Sequence, residues 1–497
     1  MTAKPNKIQI SNALREADLL LQKGDHAKAY GIFEKVLASD PANVSAAYNL
    51  GILHHQKGKL DEAERYFNKA LTAAPRDADT IISLALVVID KGDIGQALKL
   101  SARACEIEPS ARILSKAGGI EREAGNLDAA RALYEKAMRQ DPLYTQAYAG
   151  YGAVQKFQPD SEPFRLLMGA AAKAGSLPPP EQMKLGFILG KAYLDAGDAE
   201  KAFAHYAEAN RLKRATYKVF SIEKFEAYAD SIIRLFTPAL VEKLKGAGNP
   251  SARPVFIVGM PRSGSTLTDQ IVSSHPQAAS MGEMNFLQHS IPVFPNADVP
   301  DYFSANIPNV NAELVTLLSP AMLQDIAKKY LAATDKFAGS SARLVDKMLF
   351  NYLWVGLIRL ALPNAKIIHC TRDPIDMGLS IWQLSFQGSI PWAYDQTEIG
   401  RYYKAYRKVM AHWEKLFPGD IFEANYETMV VNQEEETRRL LEFCGLPFDE
   451  ACLNFHQSTR KVSTASASQV RQPIYKDSVK KWKKYEKHLQ PLIDAVN

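Results

Sequence analysis

Between Gly259 and Thr266 the chain reads Gly-Met-Pro-Arg-Ser-Gly-Ser-Thr, a glycine-punctuated run of hydroxyl side chains around one arginine. It follows a short apolar stretch, Pro254 to Val258, that reads as a buried strand, and it leads into a helical pattern from about Ser265 to Ser273. A turn in this setting aims successive backbone N–H groups at one spot, and the helix start behind it adds about half a positive charge. Arg262 supplies a full charge, and the hydroxyls of Ser263, Ser265 and Thr266 can donate alongside the Gly264 backbone. This donor set suits a phosphate or sulfate group held without a magnesium ion. The spacing from Gly259 to Gly264 fits GxxxxG, but Ser265 stands where the ATP/GTP signature has lysine, which disfavours an ordinary P-loop NTPase. For the loop alone, a serine-rich helix cap is the plain structural alternative.

VGMPRSGSTL resembles the 5′-phosphosulfate loop of sulfotransferases that use 3′-phosphoadenosine 5′-phosphosulfate (PAPS), particularly the branch that includes the tyrosylprotein sulfotransferases. The resemblance runs from about 254 to 485, roughly half the chain. From Ile367, IIHCTRDPIDMGLS is similar to the family's 3′-phosphate segment, which implies that Arg372 and Ser380 grip the ribose 3′-phosphate. The planar fork of arginine suits that task because it can make two parallel hydrogen bonds to phosphate. The resemblance thus implies anion pockets, built around Arg262 and Arg372, for opposite ends of one bisphosphorylated adenosine. NYETMV puts Tyr426 at the family's cofactor-contacting tyrosine. STASASQVRQPIY, followed by KKW, resembles its C-terminal cofactor loop and implies contacts from Ser466, from the Gln469 and Val470 stretch through Tyr475, and from Lys481. Read alone, KDSVKKWKKYEKH is equally a solvated basic helix, whose lysines would still attract an anion over about 8 Å at physiological salt.

The chemistry implied by the resemblance is in-line sulfuryl transfer to a hydroxyl, which needs a base for the acceptor proton and cations for the charge that develops. Glu283, in SMGEMNF, matches the family's catalytic glutamate, and Met281, Met284 and Phe286 would give it a partly apolar setting. Lys347, in LVDKMLF, lies 25 residues before Arg372 and matches the lysine beside the bridging oxygen, with Arg262 and Ser466 assisting. Asp346 is the structural competitor for Lys347, and His275 before Pro276 reads as closing a helix rather than as a base. Two positions depart from the branch. Asn285 replaces a basic residue that contacts acidic acceptor peptides, and Leu384 replaces a basic residue one turn after Ser380.

These residues need a frame. Ala365 to Cys370 reads as a second buried strand, and buried strands alternating with helices imply a parallel sheet in a three-layer, P-loop-like α/β domain over 254–497. Upstream, Gly24, Gly58, Gly92 and Gly125 recur at spacings of 34, 34 and 33, and Pro41, Pro75, Pro109 and Pro142 keep the same rhythm. With Ala29, Ala63, Ala97 and Ala130 five residues after each glycine, this is a tetratricopeptide (TPR) array, an all-α solenoid over 1–215. A fifth unit follows Gly197, residues 150–184 read as irregular around Pro178–Pro180, and 216–253 reads as a helical connector. His54 and His55 read as solvated surface on a repeat helix. Such arrays offer a groove for an acceptor protein or peptide, or serve only as a structural arm.

The totals narrow the setting. A net charge of +5 over 497 residues does not by itself signal nucleic acid, and four scattered cysteines favour neither a disulfide framework nor a zinc site. The first residues lack a secretory pattern and no apolar run of about 18 residues occurs, so a cytoplasmic protein without a membrane span or metal is expected. The leading expectation is a PAPS-dependent sulfotransferase with protein tyrosine as acceptor. Glycan or small-molecule hydroxyls, or a TPR scaffold with a nucleotide domain that does not turn over, are the alternatives. A kinase-like NTPase is disfavoured by the missing lysine, and the oligomeric state is left open.

Overall fold

The computed structural model describes residues 6–292, 312–386, 388, 390–458, 469–474 and 479–497. The chain divides into two compact units, Met1–Gly197 and Asp198–Asn497.

The N-terminal unit is a run of antiparallel helix pairs, beginning Lys7–Gln22 with His26–Ser39 and Val44–Gln56 with Leu60–Ala73. The first four pairs each turn on a recurrent glycine in the left-handed region, as at Gly92 (φ +92°), where a side chain would be strained. The helices approach closely because small residues face large rings. A Cβ on Gly51 would lie 2.6 Å from the Phe67 ring, and Phe67 is fully buried. Residues 150–184 are more regular than their composition implies. They contain the helix Glu162–Ala172, and the proline cluster starts the helix Pro179–Asp195, with proline in the first turn where its missing N–H costs nothing. His54 is buried, not solvated: its ring stacks on Tyr66 at 5.1 Å, and burial lowers its pKa. His55 reaches the next repeat, 2.6 Å from Asp90.

The C-terminal unit takes in more of the chain than the α/β pattern suggested. The helix Ala199–Ala215, which the repeat rhythm assigned to the array, packs here: Phe203 stacks on Trp382 at 5.6 Å, Asn210 donates to the Trp382 carbonyl, and Arg214 pairs with Glu398 at 2.8 Å. The expected connector is likewise part of this core. In the helix Ile222–Leu235, Phe225 stacks on Tyr402 at 4.1 Å, and Arg401 binds Glu226 from the long helix Gln396–Leu416.

At the centre is a parallel sheet of β1 (Pro254–Gly259), β2 (Ala278–Ser280), β3 (Arg343–Asp346), β4 (Lys366–Thr371) and β5 (Ile421–Asn425), in the order β2-β3-β1-β4-β5. β1 is buried along its whole length, as a central strand covered by helices on both faces must be. It pairs with β3 on one side and β4 on the other, so the chain reverses direction across the sheet at β1. In open α/β sheets, ligands bind at such a switch point, beyond the carboxyl ends of the strands.

Candidate active site

Register alone collects the candidate residues. Gly259 at the end of β1 pairs with Cys370 near the end of β4, so the loop carrying Arg262 and the turn carrying Arg372 leave the sheet side by side. On the other flank Ser280 of β2 pairs with Val345 of β3, which brings together the segments that continue to Glu283 and Lys347. Tyr426 follows β5 directly.

Arg262 is left-handed (φ +70°), one of two non-glycine residues with positive φ among the described residues. Such strain concentrates at functional sites. Here it turns the Arg262 carbonyl towards Arg372, whose Nη1 donates to it at 3.2 Å, while Arg262 Nε donates to Ser380 Oγ at 2.8 Å. The two arginines therefore share one cavity and adjoin each other. Gly264 (φ +91°) is the N-cap of the helix Ser265–Ser273, so no side chain covers the first helical N–H groups. Ser265 and Thr266 line the cavity. Ser263 does not: it is 1% exposed, and its hydroxyl lies behind the loop, close to Gly259. A Cβ on Gly264 would lie 2.8 Å from the Tyr426 ring, and that ring carries the Arg372 guanidinium at 4.6 Å from its centroid.

Glu283 and Lys347 meet directly, Lys347 Nζ donating to Glu283 Oε1 at 2.7 Å. Lys347 is 1% exposed behind the carboxylate, whereas the Glu283 side chain is 44% exposed and lines the cavity with Met348 and Phe350. The apolar setting expected from Met281 and Met284 is absent on one side, because Met284 points outward and is 41% exposed. Asp346 does not compete for Lys347. It turns to the opposite face, where it accepts from Tyr330 Oη at 3.1 Å and Asn351 Nδ2 at 3.3 Å, and burial lifts its pKa to about 7. Asn351 in turn accepts from Gln288 at 2.6 Å, a buried link between the segments after Glu283 and after Lys347. His275 closes its helix: Nδ1 accepts from the Gln277 N–H and Nε2 donates to the Pro447 carbonyl, both at 3.0 Å.

From the C-terminal stretch, Val470 and Lys481 line the cavity, as does Gln472. Ser466 and Tyr475 lie outside the described residues, and Gln469 is described only as the start of the short turn Gln469–Arg471. The sequence pattern did not mark two polar cavity residues, one in the helix Pro374–Trp382 and one just after it. Asp376 is 2% exposed and Gln383 half-buried, with the Gln383 Nε2 donor lacking a partner among the described residues. The period of the helix could have flagged Asp376, four residues before Ser380. Gln383 adjoins Leu384, where the branch has a cation. An orphaned donor, uncapped helical N–H groups and two guanidinium groups on one cavity fit a multiply anionic ligand.

The comparisons with known proteins follow this division. Residues 254–450 match the model of the sulfotransferase family, and residues 14–78 match that of the tetratricopeptide repeat. An uncharacterized protein of Aquifex aeolicus (strain VF5) is 37% identical over 324 residues, 65% of this chain and 42% of that protein. A Caenorhabditis briggsae protein described as a candidate protein-tyrosine sulfotransferase is 24% identical over 46% of this chain and 80% of its own length. A protein-tyrosine sulfotransferase of Drosophila melanogaster is 22% identical over 46% of each. The chain thus spans less than half the length of two of these three relatives, 42% and 46%. A tetratricopeptide-repeat match in the N-terminal unit is thus followed by a sulfotransferase-family match over 254–450, and 46% of the chain is similar, at 22–24% identity, to proteins described as protein-tyrosine sulfotransferases.

Proposed function

We propose that the C-terminal unit moves the sulfuryl group of PAPS to an acceptor hydroxyl, with protein tyrosine the leading acceptor. The observation that carries this reading is the meeting, at the carboxyl ends of adjoining strands, of the Arg262 and Arg372 pair with the Glu283 and Lys347 pair. Bound PAPS supplies the activated sulfuryl group, whose bond to the 5′-phosphate breaks as the bond to the acceptor oxygen forms. Arg372 and Ser380 hold the 3′-phosphate, and the loop from Arg262 to Thr266 holds the 5′ end. Glu283 accepts the acceptor proton on Oε2, since Oε1 is engaged by Lys347. Lys347, withdrawn from water, sets its charge beside the reacting oxygens, where a low dielectric strengthens it.

Around the base, the chain favours an acceptor without strong negative charge. From Ser263 to Ala327 it contains no lysine or arginine, and Asn285 is neutral. The reading also includes a cytoplasmic setting and an acceptor protein or peptide held by the repeat groove.

The test is purified protein with PAPS and a panel of phenols, tyrosine peptides and saccharides, followed by release of 3′,5′-ADP. Glu283→Gln is expected to lower turnover by about 10²- to 10⁴-fold while calorimetric binding of 3′,5′-ADP persists. Tight nucleotide binding with no turnover, unaltered by Glu283→Ala, would favour a scaffold whose nucleotide domain only binds. Absence of nucleotide binding sinks both readings.

A further inference from the structure

Asp376 is out of place by charge. It lies one turn before Ser380 in the helix Pro374–Trp382, lines the same cavity as Arg372 and Ser380 and is 2% exposed, yet a carboxylate repels the anion those residues attract. Burial raises its pKa, with backbone hydrogen bonds and the Arg372 charge working the other way.

What Asp376 holds is the C-terminal segment. The Trp482 N–H donates to Oδ1 at 2.8 Å, and the Lys480 N–H is a further donor to the same carboxylate. Between those two residues stands Lys481, which lines the cavity. Lys480 is left-handed (φ +57°), the second of the two non-glycine residues with positive φ among the described residues. A lysine adopts that conformation only when its surroundings compensate the strain, and a buried carboxylate taking N–H groups on both sides of Lys481 is such a compensation. The far end of the segment is fastened separately, by Gln396 donating to the His488 carbonyl at 3.0 Å and by Phe203 stacking on the His488 ring at 4.4 Å. Asp376 is thus the tie at the cavity end.

We propose that Asp376 is a positioning residue that clasps the Lys480–Trp482 turn and so presents Lys481 to the nucleotide gripped by Arg372 and Ser380. This rests on the reading of the cavity as a site for a 3′-phosphoadenosine nucleotide. The clasp uses the acceptor oxygen of Asp376 and not its charge, which makes the two obvious substitutions diverge. Asparagine keeps the acceptor and removes the repulsion, while alanine releases the turn.

The experiment is calorimetric binding of 3′,5′-ADP to the full chain. Asp376→Ala is expected to raise Kd about tenfold, and Lys481→Ala by a similar factor. The double variant should be no weaker than either single one, because the two act as one unit. Asp376→Asn should bind as the wild type does, or tighter. With PAPS as substrate, Asp376→Ala should raise KM more than it lowers kcat, and nucleotide should no longer slow tryptic cleavage after Lys480 to Lys484. Should Asp376→Ala fail to fold, Trp482→Pro removes the donated N–H while leaving the carboxylate in place and should weaken binding likewise. Unchanged binding in these variants, additive losses in the double variant, or an Asp376→Asn as damaging as Asp376→Ala overturns the clasp. A wild type that binds no nucleotide overturns the reading of the cavity itself, and the clasp with it.

Discussion

Asp346 makes the sharpest demand on stability. It ends β3 with no exposed surface, and its carboxylate accepts from the Met348 N–H at 3.1 Å, Asn351 Nδ2 at 3.3 Å and Tyr330 Oη at 3.1 Å. Burial outweighs those bonds and lifts its pKa from 3.8 to about 7. An unfolded chain surrenders this proton near pH 3.8, the folded chain only near 7, so in that interval unfolding releases a proton. The group's contribution to stability is therefore complete below the lower value and lost as the pH climbs through the upper one. At 1.36 kcal/mol per pH unit the displacement is worth about 4 kcal/mol. Asp346→Asn removes the titration, keeps an acceptor for Met348 and Asn351, and can donate to the Tyr330 oxygen. All five tryptophans, Trp354, Trp382, Trp392, Trp413 and Trp482, lie in the C-terminal unit, so denaturant unfolding followed by tryptophan fluorescence reads that unit alone. Between about pH 4 and pH 7.5 the wild type should lose about 4 kcal/mol relative to Asp346→Asn, leaving the variant the more stable at the upper end. Parallel pH profiles for the two proteins would refute the argument from burial.

Further outcomes follow from the same geometry. Arg372→Ala should raise the Kd for 3′,5′-ADP by about 10- to 100-fold, the cost of a charge-assisted contact, with a smaller loss at high salt. Gln383→Ala should raise it by about threefold, and no change in calorimetry would show that its orphaned amide is not a ligand group. In turnover assays with paired tyrosine peptides, neutral or basic flanks should be preferred to acidic ones, and Asn285→Lys should narrow that preference. A wild type that favours acidic flanks would contradict the charge reading of the acceptor side.

Much of this was legible in the chain itself. The glycine and proline rhythm set the repeat array, because a helix pair that cannot bury its own apolar face must recur at a fixed period. The loop from Gly259 to Thr266 and the strand before it were equally plain, since a phosphate-type nest needs glycine, hydroxyls and a helix start within a few consecutive residues. Where the reading strayed, local pattern had been overruled by packing. The helix Ala199–Ala215 carries the repeat's small residues, yet its Asn210 and Arg214 are held by Trp382 and Glu398 nearly two hundred residues away. Pro178–Pro180 looked like a break and opens a helix instead. Ser263 was counted with its neighbours and faces the other way.

The residue types and their local order thus determined which groups could bind an anion, and which helices and buried strands could carry them. Tertiary structure alone decided that β3 lies between β2 and β1, which brings Lys347 to Glu283 across 64 positions, and that the helix after β4 sets Asp376 against a turn more than a hundred residues on. Strands as short as Ala278–Ser280 and Arg343–Asp346 carry too few residues for periodicity to mark them. Their place is set by which apolar faces can be buried together, a property of the whole fold that no short window of sequence contains.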